Sequence, residues 1–397
     1  MSLPKIVIVG ASRSPIGALG GGLAPLQARS LASAVIKAVL TESHVDAKLV
    51  EYTCFGWVMQ DPRSPNLAKS AAEFAGVPPT SPGTTLHENC ASGGAAIHSL
   101  ARRLLLGEIS LGIAGGVESM SNVARYLYAG RLKNQILGDM ALEDGLLGGL
   151  IDRNVGKSGE LMGLLTERLV TRYKVSREEQ DEVALQSHVN ALAAWSQGYF
   201  KDYVVPIEVP QKKGSVQVVK DEGPKAMTKE ELHAAKPYFK PDGTITSANS
   251  STLNDGAAAL VLTTEARAKE LGLTPLAELR AFHNIGVERE YMGEGAFKVI
   301  APLLARAKVA LGDIDYFELN EAFAAVVAAA LHDVDGLRQE RVNAWGSGIA
   351  LGHPVGATGA RQVVDMVHQL ARRNKTMGVT TRCVGGGMGS AELVVRM

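Results

Sequence analysis

Short apolar runs closed by glycine recur along this chain. Residues 5–10 (KIVIVG) form one, and a continuous β-branched run with no polar face predicts a buried strand. Residues 25–40 shift to helical spacing, and 51–58 return to a strand-like run. Residues 91–106 are small or apolar on most faces and close at Gly107, which predicts a buried helix with glycine at its C-terminal end. Another buried strand follows at 109–115 (ISLGIAG). Strand, helix and strand in that order predict a parallel α/β sheet.

The pattern breaks in the middle. Residues 125–157 are rich in Gly, Leu and Arg without clean periodicity. A helix start stands at Ser176-Arg-Glu-Glu, with Glu179 at the capping-box position, and the helix is expected to run to Gly198. Residues 211–236 are polar and charged, as in a surface excursion, and the capping box Thr228-Lys-Glu-Glu231 predicts a short helix within it. Regular α/β character returns at Asn254-Asp-Gly-Ala-Ala and continues to the end. The expected organisation is therefore a first α/β half (1–120 with 254–275), a loop domain (121–253) and a second α/β half (276–397). Cys90-Ala-Ser-Gly-Gly and His353-Pro-Val-Gly-Ala-Thr-Gly both enter helices through small residues, a match in keeping with duplication but too short to establish it.

Composition narrows the class. A chain of 397 residues suggests two or three folding units, and 46% hydrophobic with 21% charged residues excludes a disordered protein. Lys+Arg and Asp+Glu are both 41, so charge gives no argument for nucleic acid or an anionic membrane as partner. The longest apolar stretch, 322–331, is far shorter than the ~20 residues a membrane span needs. The N-terminal residues carry no secretory pattern and the last four, VVRM, no retention or lipidation pattern, so a cytoplasmic address is expected. Cys54, Cys90 and Cys383, with no C-x-x-C pair, read as free thiols in a reducing compartment. The 43 glycines cluster in short runs, which points to tight turns and close backbone approaches.

Five residues stand out chemically. Cys90 precedes a predicted helix, where the helix dipole and unpaired N–H groups favour thiolate; the competing reading is a buried small hydrophobe. His353 lies in Gly-His-Pro, held extended by Pro354 and uncrowded by glycine, as suits a general base, although a histidine in a turn also serves simply as a satisfied polar residue. Cys383 opens Cys-Val-Gly-Gly-Gly, whose bare N–H groups could form an oxyanion hole or merely a flexible turn. Asn320 and Glu321 end the strand-like run 314–319, where α/β sheets place ligands, and Asn320 could alternatively cap a helix. No metal-chelating spacing is present. A reversible Cys90–Cys383 disulfide is the second chemical reading.

Taken in order, these segments resemble the thiolase family, acyl-CoA C-acyltransferases that make or cleave 3-ketoacyl-CoA. The resemblance spans nearly the whole chain: Ser12-Arg-Ser-Pro-Ile-Gly17, Cys90-Ala-Ser-Gly93, Gly115-Gly-Val-Glu-Ser-Met-Ser121, Ser176-Arg-Glu-Glu-Gln-Asp181, Asn254-Asp-Gly-Ala-Ala258, Asn320-Glu-Ala-Phe323, Gly352-His-Pro-Val-Gly356 and Cys383-Val-Gly-Gly-Gly387. It implies a duplicated five-layered α-β-α-β-α fold with a loop domain over the active site, assembled as a homodimer or homotetramer, with a small partner subunit in some relatives. It also implies roles. Cys90 would carry the acyl group, His353 would take its proton, and Cys383 would move the α-proton. Asn320 would hold a water that helps His353 form one oxyanion hole, and the N–H groups of Cys90 and Gly385 would form the other. Ser251, Leu161, Met162 and Phe323 would contact substrate or CoA. CoA would be a substrate, with no permanently bound cofactor.

Several positions depart from the family pattern. Leu161 replaces a histidine in what is often His-Met-Gly, and Ala248-Asn-Ser-Ser-Thr252 keeps Ser251 but lacks two glycines. Trp345 and His87 stand where asparagine is common. All are expected near the pocket, which predicts a less polar acyl site accepting a bulkier, branched or aromatic chain. Degradative cleavage of a 3-ketoacyl-CoA is the expected reaction. The alternatives are acetoacetyl-CoA synthesis and, from another class, a thiol/disulfide redox switch. A decarboxylating ketosynthase is disfavoured, because those enzymes pair one cysteine with two histidines and here the third position is Cys383.

Overall fold

The computed structural model describes residues 3–128 and 139–397; part of the Gly/Leu/Arg-rich stretch, 129–138, lies outside them. The first half builds β1 (Ile6–Arg13), α1 (Ala28–Glu42), β2 (Tyr52–Gly56), α2 (Leu67–Phe74), β3 (Gly83–Leu86), α3 (Ser92–Leu105) and β4 (Leu111–Ser119). Within the intervening segment lie α4 (Met162–Tyr173) and α5 (Arg177–Ser196). After it come β5 (Asn254–Thr264), β6 (Ala277–Gly286), α6 (Ile300–Ala307), β7 (Tyr316–Leu319), α7 (Ala324–Asp333), α8 (Thr358–Arg372), β8 (Met377–Val384) and β9 (Met388–Arg396). The apolar-run and capping expectations match these elements closely. At α5, Ser176 Oγ accepts from Glu179 N–H at 3.1 Å and the Glu179 carboxylate accepts from Ser176 N–H at 2.7 Å.

The main strands pair in the order β7-β8-β9-β6-β1-β5-β4-β2-β3. The expected parallel sheet is in fact mixed. Pairs β2–β3, β2–β4 and β7–β8 are parallel, each partner following a helical crossover, whereas β4–β5, β5–β1, β1–β6, β6–β9 and β9–β8 are antiparallel. Strands β8 and β9 are joined by the turn Gly385–Gly387, too short for a crossover, so they can only run antiparallel. Gly386 and Gly387 have φ of +96° and +80°, the left-handed backbone this tight return requires.

The two halves repeat one plan. In each, a strand (β2 or β7) pairs in parallel with the strand (β4 or β8) that follows a buried helix (α3 or α8), and that strand then pairs antiparallel with a longer one (β5 or β9). A parallel bridge between Phe317 and Val342 stands in the second half where β3 lies in the first. Helices α3 and α8 pack together between the halves, around Ile97, Leu100, Val363, Val364 and Leu370. A second core lies outside the first half under α1 and α2, and a third outside the second half under α6 and α7. Helix, sheet, paired helices, sheet and helix make the five layers. The long apolar stretch becomes α7, whose residues 324–330 are all buried in the outer core. No helix among the described residues is long and apolar enough to cross a membrane.

The polar stretch 211–236 is not wholly superficial. Asp221 is buried and binds Arg13 at 2.8 Å, and Arg13 also binds Asp365 at 2.9 Å. Arg361 joins Asp365 to Glu318, extending this ionic network through the central layer. Burying the Arg13 guanidinium demands such partners, so one aspartate in an otherwise solvated segment becomes its anchor.

Candidate active site

Cys90 sits in a tight strand-to-helix turn between β3 and α3. Asn89 takes a left-handed φ of +46°. Ser92 pins the turn: its hydroxyl donates to the Asn89 carbonyl at 2.7 Å and accepts from Glu88 N–H at 2.9 Å. The Ser-Gly-Gly that follows lets the two central helices start against each other, since a Cβ on Gly93 would lie 2.7 Å from Ala360 N at the start of α8. The small-residue helix entries of both halves thus answer one packing demand, the close approach of α3 and α8.

Cys383 lies near the end of β8 and is 1% exposed. The turn after it folds back toward Cys90. Asn89 Nδ2 donates to the Gly385 carbonyl at 2.8 Å, and the Gly385 N–H is close enough to favour the ionised form of the Cys90 sulfur. Met162, opening α4, closes over the same turn, with its Cε 3.2 Å from where a Gly385 Cβ would stand. The structure therefore brings together Cys90, Cys383, Gly385 and Met162. Burial, and then the neighbouring Cys90, push the Cys383 thiol far above the ordinary thiol range.

At Cys90 the expected thiolate is not the resting state. Burial raises its pKa and outweighs the opposing pull of the Gly385 and Cys90 N–H groups and of Arg382. Desolvation thus outweighs those three contributions, and Cys90 rests as a thiol. His353 is suited to take the thiol proton. Its N–H donates to Asn254 Oδ1 at 2.9 Å, and Gly352 before it takes a φ of +110°. Its Nδ1 lies 2.6 Å from Thr358 Oγ1, whose hydroxyl donates to the Pro354 carbonyl at 3.0 Å. With that donation made, Oγ1 accepts from Nδ1–H and Nε2 keeps its lone pair. Burial, aided by the charge of Arg361, holds the imidazole down at about 3, so it is neutral at physiological pH.

Asn320 follows β7 and is fully buried, yet neither its amide oxygen nor its amide nitrogen has a partner among the described residues. The helix-cap reading fails, because α7 begins at Ala324 with Phe323 as its N-cap. A buried amide facing no protein partner is one available to water or ligand. Glu321 beside it accepts from Ser187 Oγ at 2.5 Å, Asn343 Nδ2 at 2.7 Å and Ile349 N–H at 3.2 Å, and burial pushes its carboxyl up to about 7.

The remaining candidates divide. Leu161 is half-buried on a two-residue strand at the entry to α4. Ser251 is half-buried, and its N–H donates to the Ala322 carbonyl at 3.0 Å. Phe323, 8% exposed, packs edge-on against Phe239, and most of its surface belongs to the core of the second half. Trp345 is not at the pocket. It lies in the central core against Tyr199 and Phe200, where an indole in place of a smaller polar side chain fills interior space. His87 is exposed, and its Nδ1 accepts from Asn89 N–H at 3.4 Å. An apolar wall at Cys90 comes instead from Val58, Met120 and Val355, with Met59, Leu146 and Leu253 around them. Among the described residues, no group of His, Cys, Asp and Glu is arranged to hold a metal ion.

Sequence reasoning missed Asn254, Thr358 and Glu118. Glu118 did carry a signal, a lone charge inside the apolar run of β4. Asn254 and Thr358 show their roles only through partners in the fold.

With this geometry in hand, comparison with known proteins is specific. Residues 6–266 match the family model described as thiolase, N-terminal domain, and residues 273–396 match thiolase, C-terminal domain. The chain is 39% identical over 399 residues to an acetyl-CoA acetyltransferase of Chromobacterium violaceum, covering 99% of this chain and 100% of the relative. The crystal structure of the Bacillus anthracis acetyl-CoA acetyltransferase superposes with a TM-score of 0.96 at 40% identity, covering 100% of both chains. Human mitochondrial 3-ketoacyl-CoA thiolase in complex with CoA superposes with a TM-score of 0.94 at 34% identity, covering 99% of this chain and 98% of that one.

Proposed function

The chain belongs to the thiolase family, and from that premise we propose that it cleaves a 3-ketoacyl-CoA with CoA through a thioester on Cys90. It is an acyltransferase that works on CoA thioesters; the residue roles, the direction and the acyl group are the proposal. His353 takes the Cys90 proton and the sulfur attacks the C3 carbonyl. The C2–C3 bond breaks, its electron pair leaves as the enolate of acetyl-CoA, and the Cys383 thiol protonates C2. A CoA thiol then attacks the Cys90 thioester, giving its proton to the Cys383 thiolate, and the shortened acyl-CoA leaves as His353 returns its proton to the Cys90 sulfur. Thiol chemistry suits both halves, since sulfur is a good nucleophile and a good leaving group.

One observation carries this reading: the turn that Cys383 begins is tied to the residue before Cys90, with Asn89 Nδ2 donating to the Gly385 carbonyl at 2.8 Å, so that the Gly385 backbone lies beside the Cys90 sulfur. That contact supports an oxyanion hole made from the N–H groups of Cys90 and Gly385. The unpartnered amide of Asn320 supports a second one, shared with His353 through a water. CoA is a substrate here, and no permanently bound cofactor is needed for these steps. Ser251, Leu161, Met162 and Phe323 are proposed to border the substrate, under cover of the 121–253 segment. Three unpaired thiols support a reducing, cytoplasmic setting. Strand β3, directly before Cys90, ends the sheet, which supports pairing between two copies of the chain.

Leu161 and the apolar wall of Val58, Met59, Met120, Leu146 and Leu253 support a site for a bulkier acyl chain. The opposing reading, acetoacetyl-CoA synthesis, draws support from relatives named acetyl-CoA acetyltransferase. Turnover of acetoacetyl-CoA against longer, branched and aromatic 3-ketoacyl-CoA esters decides between them. Higher kcat/KM on the bulky esters is expected; clear preference for the four-carbon ester would refute the bulky-acyl reading.

A further inference from the structure

Glu118 lies in β4 and is fully buried. Its carboxylate accepts three backbone N–H groups and, among the described residues, no hydrogen bond from a cationic side chain. Val58 N–H (3.2 Å) and Gly356 N–H (2.9 Å) reach Oε2, and Met59 N–H (3.2 Å) reaches Oε1. Val58 and Met59 follow β2 of the first half, whereas Gly356 belongs to the His353 turn of the second. That turn is wedged tightly: a Cβ on Gly356 would lie 2.5 Å from the Val117 carbonyl, 2.9 Å from Glu118 Oε2 and 3.0 Å from Trp57 Cα.

A buried carboxylate held by amides is expensive, and the negative charge of Asp255 adds to that cost. Burial raises its carboxyl despite the three donors. Packing alone does not call for a charge at this position. Three donors do call for two acceptor oxygens, since glutamine would offer one oxygen and set its NH2 against an N–H. The residues thus joined are the His353 turn and the wall segment Val58–Met59 beside Cys90.

We propose that Glu118 is a positioning residue that locks the His353 turn to the first half, so that the imidazole is aimed at the Cys90 proton. The inference rests on the reading of His353 as the base for Cys90. It predicts that Glu118 acts through His353 and on the rate of acylation rather than on substrate binding.

The test is single-turnover acylation of Cys90 by acetyl-CoA, followed by intact-protein mass in wild type, His353→Ala, Glu118→Gln, Glu118→Asp and the Glu118→Gln/His353→Ala pair. His353→Ala should slow acylation by about 100-fold or more, as loss of a general base does. Glu118→Gln should lower the maximal rate by about tenfold while leaving the half-saturating acetyl-CoA concentration unchanged, and should add nothing in the His353→Ala background. Glu118→Asp, which keeps two acceptor oxygens, should recover part of the rate and serves if the Gln variant does not fold. A slow His353→Ala with normal Glu118 variants, or equal slowing by Glu118→Gln in both backgrounds, would overturn this inference alone. A normal rate in His353→Ala would overturn the base assignment, and this inference with it.

Discussion

At Cys90 two N–H groups and the charge of Arg382 pull the thiol toward ionisation while burial pushes it back, and burial prevails. The consequence is measurable. Without substrate, alkylation of Cys90 by iodoacetamide should rise about tenfold per pH unit from pH 7 to 9, because only the thiolate reacts and its fraction is still growing there. A plateau at neutral pH would show a preformed thiolate instead. At Asn320 the buried side-chain amide makes no hydrogen bond to the described residues. Asn320→Ala removes no protein hydrogen bond, so thermal stability should change little, while kcat should fall by about 10²–10³ if the amide supports an oxyanion. Comparable losses in melting temperature and kcat would mark the residue as structural. The chemically distinctive residues were legible in the chain because glycine and proline framed them: Cys90 before Ser-Gly-Gly, His353 between Gly352 and Pro354, Cys383 before three glycines. Glu118 was not, because its meaning lies in Gly356, 238 positions away.

Among the elements, those whose signal is local were read correctly. The α5 capping box is the clearest, since both reciprocal bonds lie within four residues. Ser176→Ala should cost about 1 kcal/mol by denaturant unfolding and leave kcat unchanged, as the capping serine is solvent-exposed. A loss of activity at full stability would contradict that. The sheet's direction was less legible. Runs of β-branched residues show that strands exist, but partner and direction depend on connections such as the intervening segment before β5 and the glycine turn before β9. Trp345 makes the same point for side chains: its position in the chain suggested the pocket, and the packing of Tyr199 and Phe200 draws it into the core.

Across the whole molecule, two repeats of one plan enclose paired helices, and the chemistry sits where those helices begin. Each half contributes what the other lacks: a thiol before α3, proposed as the nucleophile, and an imidazole before α8 with a second thiol at the end of β8. The halves are tied by buried charge as well as by apolar packing. Asp221→Ala would leave the Arg13 guanidinium with one carboxylate in the interior, and about 3–5 kcal/mol of stability should be lost in denaturant unfolding. An unchanged midpoint would show that Asp365 alone suffices. Overall architecture was legible through the ordered motifs; the ionic network was not, because it joins residues from four distant segments.

The division of labour between the two thiols is tested most directly by intact-protein mass after incubation with acetyl-CoA. Wild type and Cys383→Ser should each gain one acetyl group, mapped to Cys90, and Cys90→Ser should gain none. An acetyl group on Cys383, or one retained when Cys90 is replaced, would contradict the account.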